Sequence, residues 1–144
     1  MIVGFCYNLI YKVLLLRRRL YMIYGVGIDL LDFSQVNITN KKLLEKVLTD
    51  EELKIFTTKT SDIQRMNFFA GRFAAKEAYV KALGTGFRAL DFRDIEVVNN
   101  DFGQPIIKVL QTQFVQDMQL ICHVSISHSN RAATAVVILE QKEV

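Results

Sequence analysis

Phe69, Phe73, Glu77 and Lys81 follow one another at intervals of four, the spacing that puts side chains on one helix face. Most of that stripe is aromatic, yet it carries one carboxylate and one amine. A carboxylate drawn toward an aromatic surface needs a counter-ion, a proton or a metal. A second carboxylate, Asp29, closes the run Gly25-Val26-Gly27-Ile28-Asp29. Hard divalent cations such as Mg2+ take one or two carboxylates together with waters and phosphate oxygens. Arg72, Lys76 and Lys81 supply anion partners on the stretch that bears Glu77. Gly84-Thr85-Gly86 offers backbone N–H groups to a phosphate, although it follows a helix and so gains nothing from the helix dipole. Together these residues suggest a phosphate ligand bridged by magnesium. The competing reading is plain: Glu77 and Lys81 also make an ordinary Glu-then-Lys helix pair, worth a few tenths of a kcal/mol.

Both histidines sit in His123-Val124-Ser125-Ile126-Ser127-His128. Alternation along a strand puts His123, Ser125 and Ser127 on one face and Val124 and Ile126 on the other. His128 falls at the strand end, free to face a site. A hydrogen-bonded structural histidine is the ordinary alternative.

The elements that must position these groups can be read from pattern. Ser61 with Gln64 forms a capping box, so the long helix opens at Asp62. Ala70, Ala74, Ala75, Ala78, Ala82 and Leu83 favour it, and Gly84 stops it. From Asn67 to Leu83 it is a rod of roughly 25 Å. Ile23–Leu31 reads as a strand with Tyr24, Val26, Ile28 and Leu30 as its core face. Gly25, Gly27 and Asp29 then line the opposite face, where glycine marks close approach by a ligand or another backbone. Lys41–Leu48 is a short helix. Thr49 with Glu52 makes a capping box for another, ending near Phe56. Asp94–Val98 and Pro105–Leu110 form a hairpin around Asn99–Gln104. Gln111–Met118 reads as a short helix, and Ile121–Ser127 and Ala132–Leu139 as strands. The expected class is α+β: an antiparallel sheet packed against one long helix and several short ones.

The chain has 144 residues and is 51% hydrophobic, enough for one domain with a core and too little for two. Cys6 and Cys122 lie far apart with no metal spacing and no disulfide framework, which suits a reducing cytoplasm. The net charge of +3 is concentrated at one end: Lys12, Arg17, Arg18 and Arg19 lie in the first twenty residues, which hold no acid. The remainder carries 14 basic side chains against 15 acidic ones, so it is not a nucleic-acid-binding surface. Residues 1–21 read as an extension outside a domain of residues 22–144, with Met22 as its working start. As a helix the apolar part of that extension would span about 24 Å, short of a bilayer core. Its positive charges follow the apolar run, the reverse of a secretory signal. A surface-lying amphipathic helix is the membrane alternative.

Three stretches carry a family resemblance. Met22-Ile23-Tyr24-Gly25-Val26-Gly27-Ile28-Asp29-Leu30 resembles the amino-terminal motif of the holo-acyl-carrier-protein synthases. Phe68 to Ala78, with Lys81-Ala82-Leu83-Gly84-Thr85-Gly86, resembles their central signature. His123 to Ser129 resembles the carboxy-terminal one. The resemblance implies a 4′-phosphopantetheinyl transferase-like fold and a cytoplasmic enzyme of fatty acid biosynthesis. It implies transfer of the 4′-phosphopantetheine arm of coenzyme A to a serine of apo-acyl carrier protein, releasing adenosine 3′,5′-bisphosphate. It also implies Mg2+ held by Asp29 and Glu77, and a homotrimer with sites between neighbouring subunits. On this footing Glu77 is the expected base for the carrier serine, and Lys81 neutralises a phosphate oxygen. Arg72, Lys76, Lys81, Gly84, Thr85, Gly86 and His128 are assigned to the coenzyme.

The chain departs from the family where the carrier is gripped. Gln35 stands where an arginine is usual, Asp50-Glu51-Glu52 opens a helix that usually starts basic, and Gln104 replaces a common lysine. The carrier contact then falls to Lys41, Lys42, Lys46, Lys54 or Arg65 and should weaken with salt. The alternative to an enzyme is a coenzyme A or nucleotide-binding module without chemistry, which needs Lys81, the glycine loop and His128 but not both carboxylates.

Overall fold

The computed structural model describes residues 21–110 and 118–142. Strand β1 (Tyr21–Asp32) leads through a single 3-10 turn (Phe33–Gln35) to helices α1 (Lys41–Val47), α2 (Asp50–Thr57) and α3 (Asp62–Leu83). Strands β2 (Ile95–Asn99), β3 (Pro105–Val109), β4 (Ile121–His128) and β5 (Ala132–Lys142) follow. The order β1-β5-β4 makes an antiparallel three-stranded sheet, and β2 pairs with β3 as a separate hairpin. This is the expected α+β arrangement. The short helix expected at Gln111–Met118 falls almost wholly outside the described residues.

Local signals set the helix ends. Thr49 caps α2 and forms a full box with Glu52, its own N–H donating to Glu52 Oε2 at 2.8 Å. At α3 the box is shared over two residues. Ser61 Oγ accepts from the Gln64 N–H at 3.3 Å, while Gln64 Oε1 accepts from the Thr60 N–H at 3.2 Å. Gly84 ends α3 in the left-handed region, at φ 79°, a conformation that costs glycine little.

The faces of β1 are the reverse of the expected ones. Tyr24, Val26, Ile28 and Leu30 are 41%, 57%, 65% and 64% exposed. The glycine face is the packed one. A Cβ on Gly25 would fall 1.9 Å from the Ala82 carbonyl oxygen, and one on Gly27 would fall 1.9 Å from that of Ala78. What approaches the bare strand is the backbone of α3 itself, which glycine alone admits. Hydrophobic alternation marks two faces but does not say which is covered. The sheet's inner face continues through Ala133, Ala135, Val137 and Leu139, all buried against α3.

Candidate functional site

Asp29 shares the inner face of β1 with Gly25 and Gly27 and so projects toward α3. Its Oδ1 lies 2.6 Å from Lys81 Nζ, and the same ammonium donates to the Ile28 carbonyl at 3.2 Å. The Asp29 side chain is 14% exposed and that of Lys81 is 50% exposed. Thr134 Oγ1 on β5 donates to the Asp29 carbonyl at 2.7 Å, which fixes the strand where the carboxylate leaves it. Glu77 lies one turn before Lys81, half-buried. Burial raises its pKa first and the charge of Asp29 raises it further, while Lys81 partly opposes both. The two carboxylates therefore feel each other across a lysine that already holds one of them.

Among the described residues no group of three or more His, Cys, Asp or Glu side chains could hold a metal. That argues against a site closed entirely by protein. A pair of mutually repelling carboxylates, one with its pKa pushed up, fits a hard divalent ion that completes its shell with water and phosphate oxygens.

The loop beyond α3 is built for conformation. Gly84 and Gly86 both have positive φ, 79° and 58°, and a Cβ on either would meet nothing within 4 Å. The Gly84 N–H closes the helix onto the Val80 and Lys81 carbonyls, which removes it from any anion site. Thr85 Oγ donates to the Gly86 carbonyl at 3.0 Å.

Arg72 and His128 meet elsewhere, in a cleft of about 1160 Å3 lined also by Lys59, Lys108, Asn99 and Pro105. Phe68 forms part of its wall, with the Arg72 guanidinium 4.1 Å and Lys59 Nζ 5.5 Å from its ring centre. Arg72 donates to Asn99 Oδ1. Burial lowers the Arg72 pKa, opposed by Glu52. Arg72 Nε and Asn67 Oδ1 are buried without a hydrogen-bond partner among the described residues. With three cations, a histidine and unpaired polar atoms set against Glu51 and Glu96 on its wall, the cleft is suited to a ligand that carries both anionic groups and hydrogen-bond donors. Asp29, Glu77 and Lys81 do not line it. Sequence reading missed Lys108 and Asn99 because only folding of the hairpin against α3 brings them beside Arg72, and Lys59 because it lies in the connection before α3 and reaches the cleft over Phe68.

Lys76, assigned to a coenzyme phosphate from the sequence, is not in either region. It is wholly buried, donating to Glu52 Oε2 at 2.6 Å and to the Val47 carbonyl at 2.7 Å. Neighbours on a helix project about 100° apart, so Glu77 faces β1 while Lys76 faces the interior.

The family profile of the 4′-phosphopantetheinyl transferase superfamily matches residues 25–137. A holo-[acyl-carrier-protein] synthase of Oceanobacillus iheyensis is 40% identical over 125 residues, covering 85% of this chain and all (100%) of that protein. One from a Geobacillus strain is 42% identical over 124 residues, covering 83% of this chain and 98% of its own. The crystal structure of the Bacillus anthracis holo-(acyl-carrier-protein) synthase in complex with CoA (3′,5′-ADP) superposes with a TM-score of 0.74 at 41% identity, covering 84% of this chain and 99% of that one.

Proposed function

This chain belongs to the 4′-phosphopantetheinyl transferase superfamily, and we propose that it moves the 4′-phosphopantetheine arm of coenzyme A onto a serine of apo-acyl carrier protein. The serine oxygen attacks the phosphorus that carries the pantetheine arm. The bond from that phosphorus to the bridging pyrophosphate oxygen breaks, and adenosine 3′,5′-bisphosphate leaves. The observation that carries this reading is the convergence of Asp29, Glu77 and Lys81, from β1 and α3, beside a glycine loop.

Glu77 is the base for the serine proton. Its pKa, raised by burial and by the charge of Asp29, makes it a better proton acceptor than an ordinary carboxylate. Lys81 neutralises charge on the departing diphosphate. Asp29 and Glu77 would hold Mg2+, which when bound supplies charge neutralisation on the diphosphate and a template for in-line displacement. Thr85 and Gly86 offer the loop's remaining polar groups to the phosphates. Arg72 and His128 bind the nucleotide end of the coenzyme, joined by Lys59 and Lys108.

We further infer a homotrimer whose sites lie between copies. Arg72 and Glu77 are five positions apart, which turns them about 140° from each other around α3. One extended coenzyme would therefore take its nucleotide grip and its reacting groups from different copies. The exposed apolar row Tyr24, Val26, Ile28 and Leu30 is the face for those copies to cover, since contiguous apolar surface of this kind marks an interface. The chemistry belongs in the cytoplasm, where acyl carriers are made competent for fatty acid synthesis. Among the described residues no helix is long and apolar enough to cross a membrane.

The test is incubation of the protein with coenzyme A, MgCl2 and apo-acyl carrier protein, read by mass spectrometry. A carrier heavier by one phosphopantetheine arm supports the transferase. An unmodified carrier with coenzyme still bound to the protein leaves a binding module instead.

A further inference from the structure

Lys76 and Glu52 form an ion pair with no exposed side-chain surface on either partner, and neither lines the cleft that holds Arg72. The pair is the centre of a knot. Glu52 Oε2 accepts from Lys76 and from the Thr49 N–H, and Glu52 Oε1 accepts from the Val97 N–H at 2.8 Å. Thr49 Oγ1 donates to Glu96 Oε1 at 2.9 Å. Arg93 donates to the Glu45 and Leu48 carbonyls at 3.0 and 3.1 Å. Through Lys76, then, α3 is tied at once to the end of α1, the first turn of α2 and strand β2.

Stability alone does not call for such a knot. Well-packed apolar side chains in place of a buried ion pair are often neutral or stabilising. What apolar packing lacks is direction, which hydrogen bonds to three separate elements supply. Direction matters here because α3 meets β1 through Ala78 and Ala82 over Gly25 and Gly27. At these two glycines the contact is close but smooth, and the strand's side chains toward α3, Asp29 and Leu31, come only farther along it. A slip of one residue would move α3 by about 1.5 Å and turn it by about 100°. Glu77 and Lys81 would then leave Asp29.

We propose that the Lys76–Glu52 pair is the pin that sets the axial position and rotation of α3, making both positioning residues for Glu77 and Lys81. The proposal rests on the reading of Glu77 and Lys81 as reacting groups. Lys76 acts from inside the core, one position away from the base it orients.

The test compares wild type with Glu52→Gln and with the double variant Glu52→Gln/Lys76→Met. Each is assayed at a temperature where circular dichroism shows it fully folded. The isosteric single variant keeps the comparison readable if the double one is too unstable. Three quantities are read: kcat, KM for the carrier, and amide hydrogen exchange from Glu77 to Leu83. The pin predicts a kcat lower by about tenfold or more, as displacement of reacting groups by an ångström requires. It predicts a carrier KM within about twofold of wild type, because the loss is made in the transition state. Exchange should quicken along Glu77–Leu83 by more than the change in global stability explains. A folded variant with wild-type kcat and wild-type exchange overturns the proposal. An inactive wild type would instead sink the transferase reading, while the exchange measurement would still judge the pin.

Discussion

Lys81 on α3 and Asp29 on β1, 52 residues apart in sequence, are joined by a 2.6 Å ion pair. The lysine stands where a cation would be wanted between two carboxylates. It balances Asp29 but leaves Glu77 with its pKa raised. On the proposed reading Asp29 and Glu77 would hold a divalent ion in competition with that ammonium, and Lys81 would supply positive charge to a phosphate oxygen.

From this relationship come two expectations. If Asp29 and Glu77 act as proposed, Asp29→Ala and Glu77→Gln should each lower kcat by roughly two orders of magnitude or more. Lys81→Met should also lower kcat, but the Mg2+ concentration for half-maximal rate should fall or stay level, because a competitor for Asp29 has gone. Steady-state rates across a magnesium titration check both. A Glu77→Gln variant near the wild-type rate would remove Glu77 from its role.

The division between the Asp29 cluster and the Arg72 cleft makes complementation possible. Arg72→Ala and His128→Ala should raise KM for coenzyme A more than they lower kcat, as loss of ground-state binding does. If each site draws on two copies, mixing Arg72→Ala with Glu77→Gln under conditions that exchange subunits should restore activity above that of either alone. Some mixed interfaces then pair an intact cleft with an intact base. Activity equal to the mean of the two parents would place both halves within one chain.

The sequence was most legible where local rules decide. The box at Thr49, the cap at Ser61, the stop at Gly84 and the strand-end position of His128 all follow from side chains within a few residues of each other. The reversed faces of β1 were not legible, because burial of the glycine side depends on how closely α3 can approach. Alternation of Tyr24, Val26, Ile28 and Leu30 looks the same whether the cover is a helix or solvent. Lys76 was misplaced for a related reason. Next to Glu77 it reads as a second charged group of the site, and only the buried Glu52, which looks like a simple capping residue, reveals its role.

The outer face of β1 gives a prediction on assembly. Ile28 is 65% exposed in the isolated chain and sits in register with Val136 on β5, which pairs with Ser125 on β4. An arginine there would bury an unpaired charge in any interface, at a cost of several kcal/mol. Ile28→Arg should therefore sediment as a smaller species than wild type and lose transferase activity, while its helix signal in circular dichroism persists. An Ile28→Arg protein of unchanged mass and rate would free this face from any role in assembly.

Alkaline stability is set by the core side of the same sheet. Burial pushes the Cys122 thiol from an ordinary 9.0 up to about 12. Tyr79 rises from 10.0 to about 12, through burial first and through Cys122 second. In both the folded pKa lies above the unfolded one, so the folded chain holds protons that the unfolded chain releases. Their stabilising contribution is complete below pH 9 and is lost as the pH rises toward 12. Each pH unit in that window removes up to about 1.4 kcal/mol for each group. Lys76 has the opposite sign, since burial lowers its pKa, but it is common to any pair of proteins that differ only at Cys122. Urea midpoints of wild type and Cys122→Ala measured from pH 8 to pH 11 read the thiol together with its smaller effect on Tyr79. Wild type should lose stability more steeply above pH 9, and parallel curves would mean that the buried thiol ionises as readily in the folded chain as in the unfolded one.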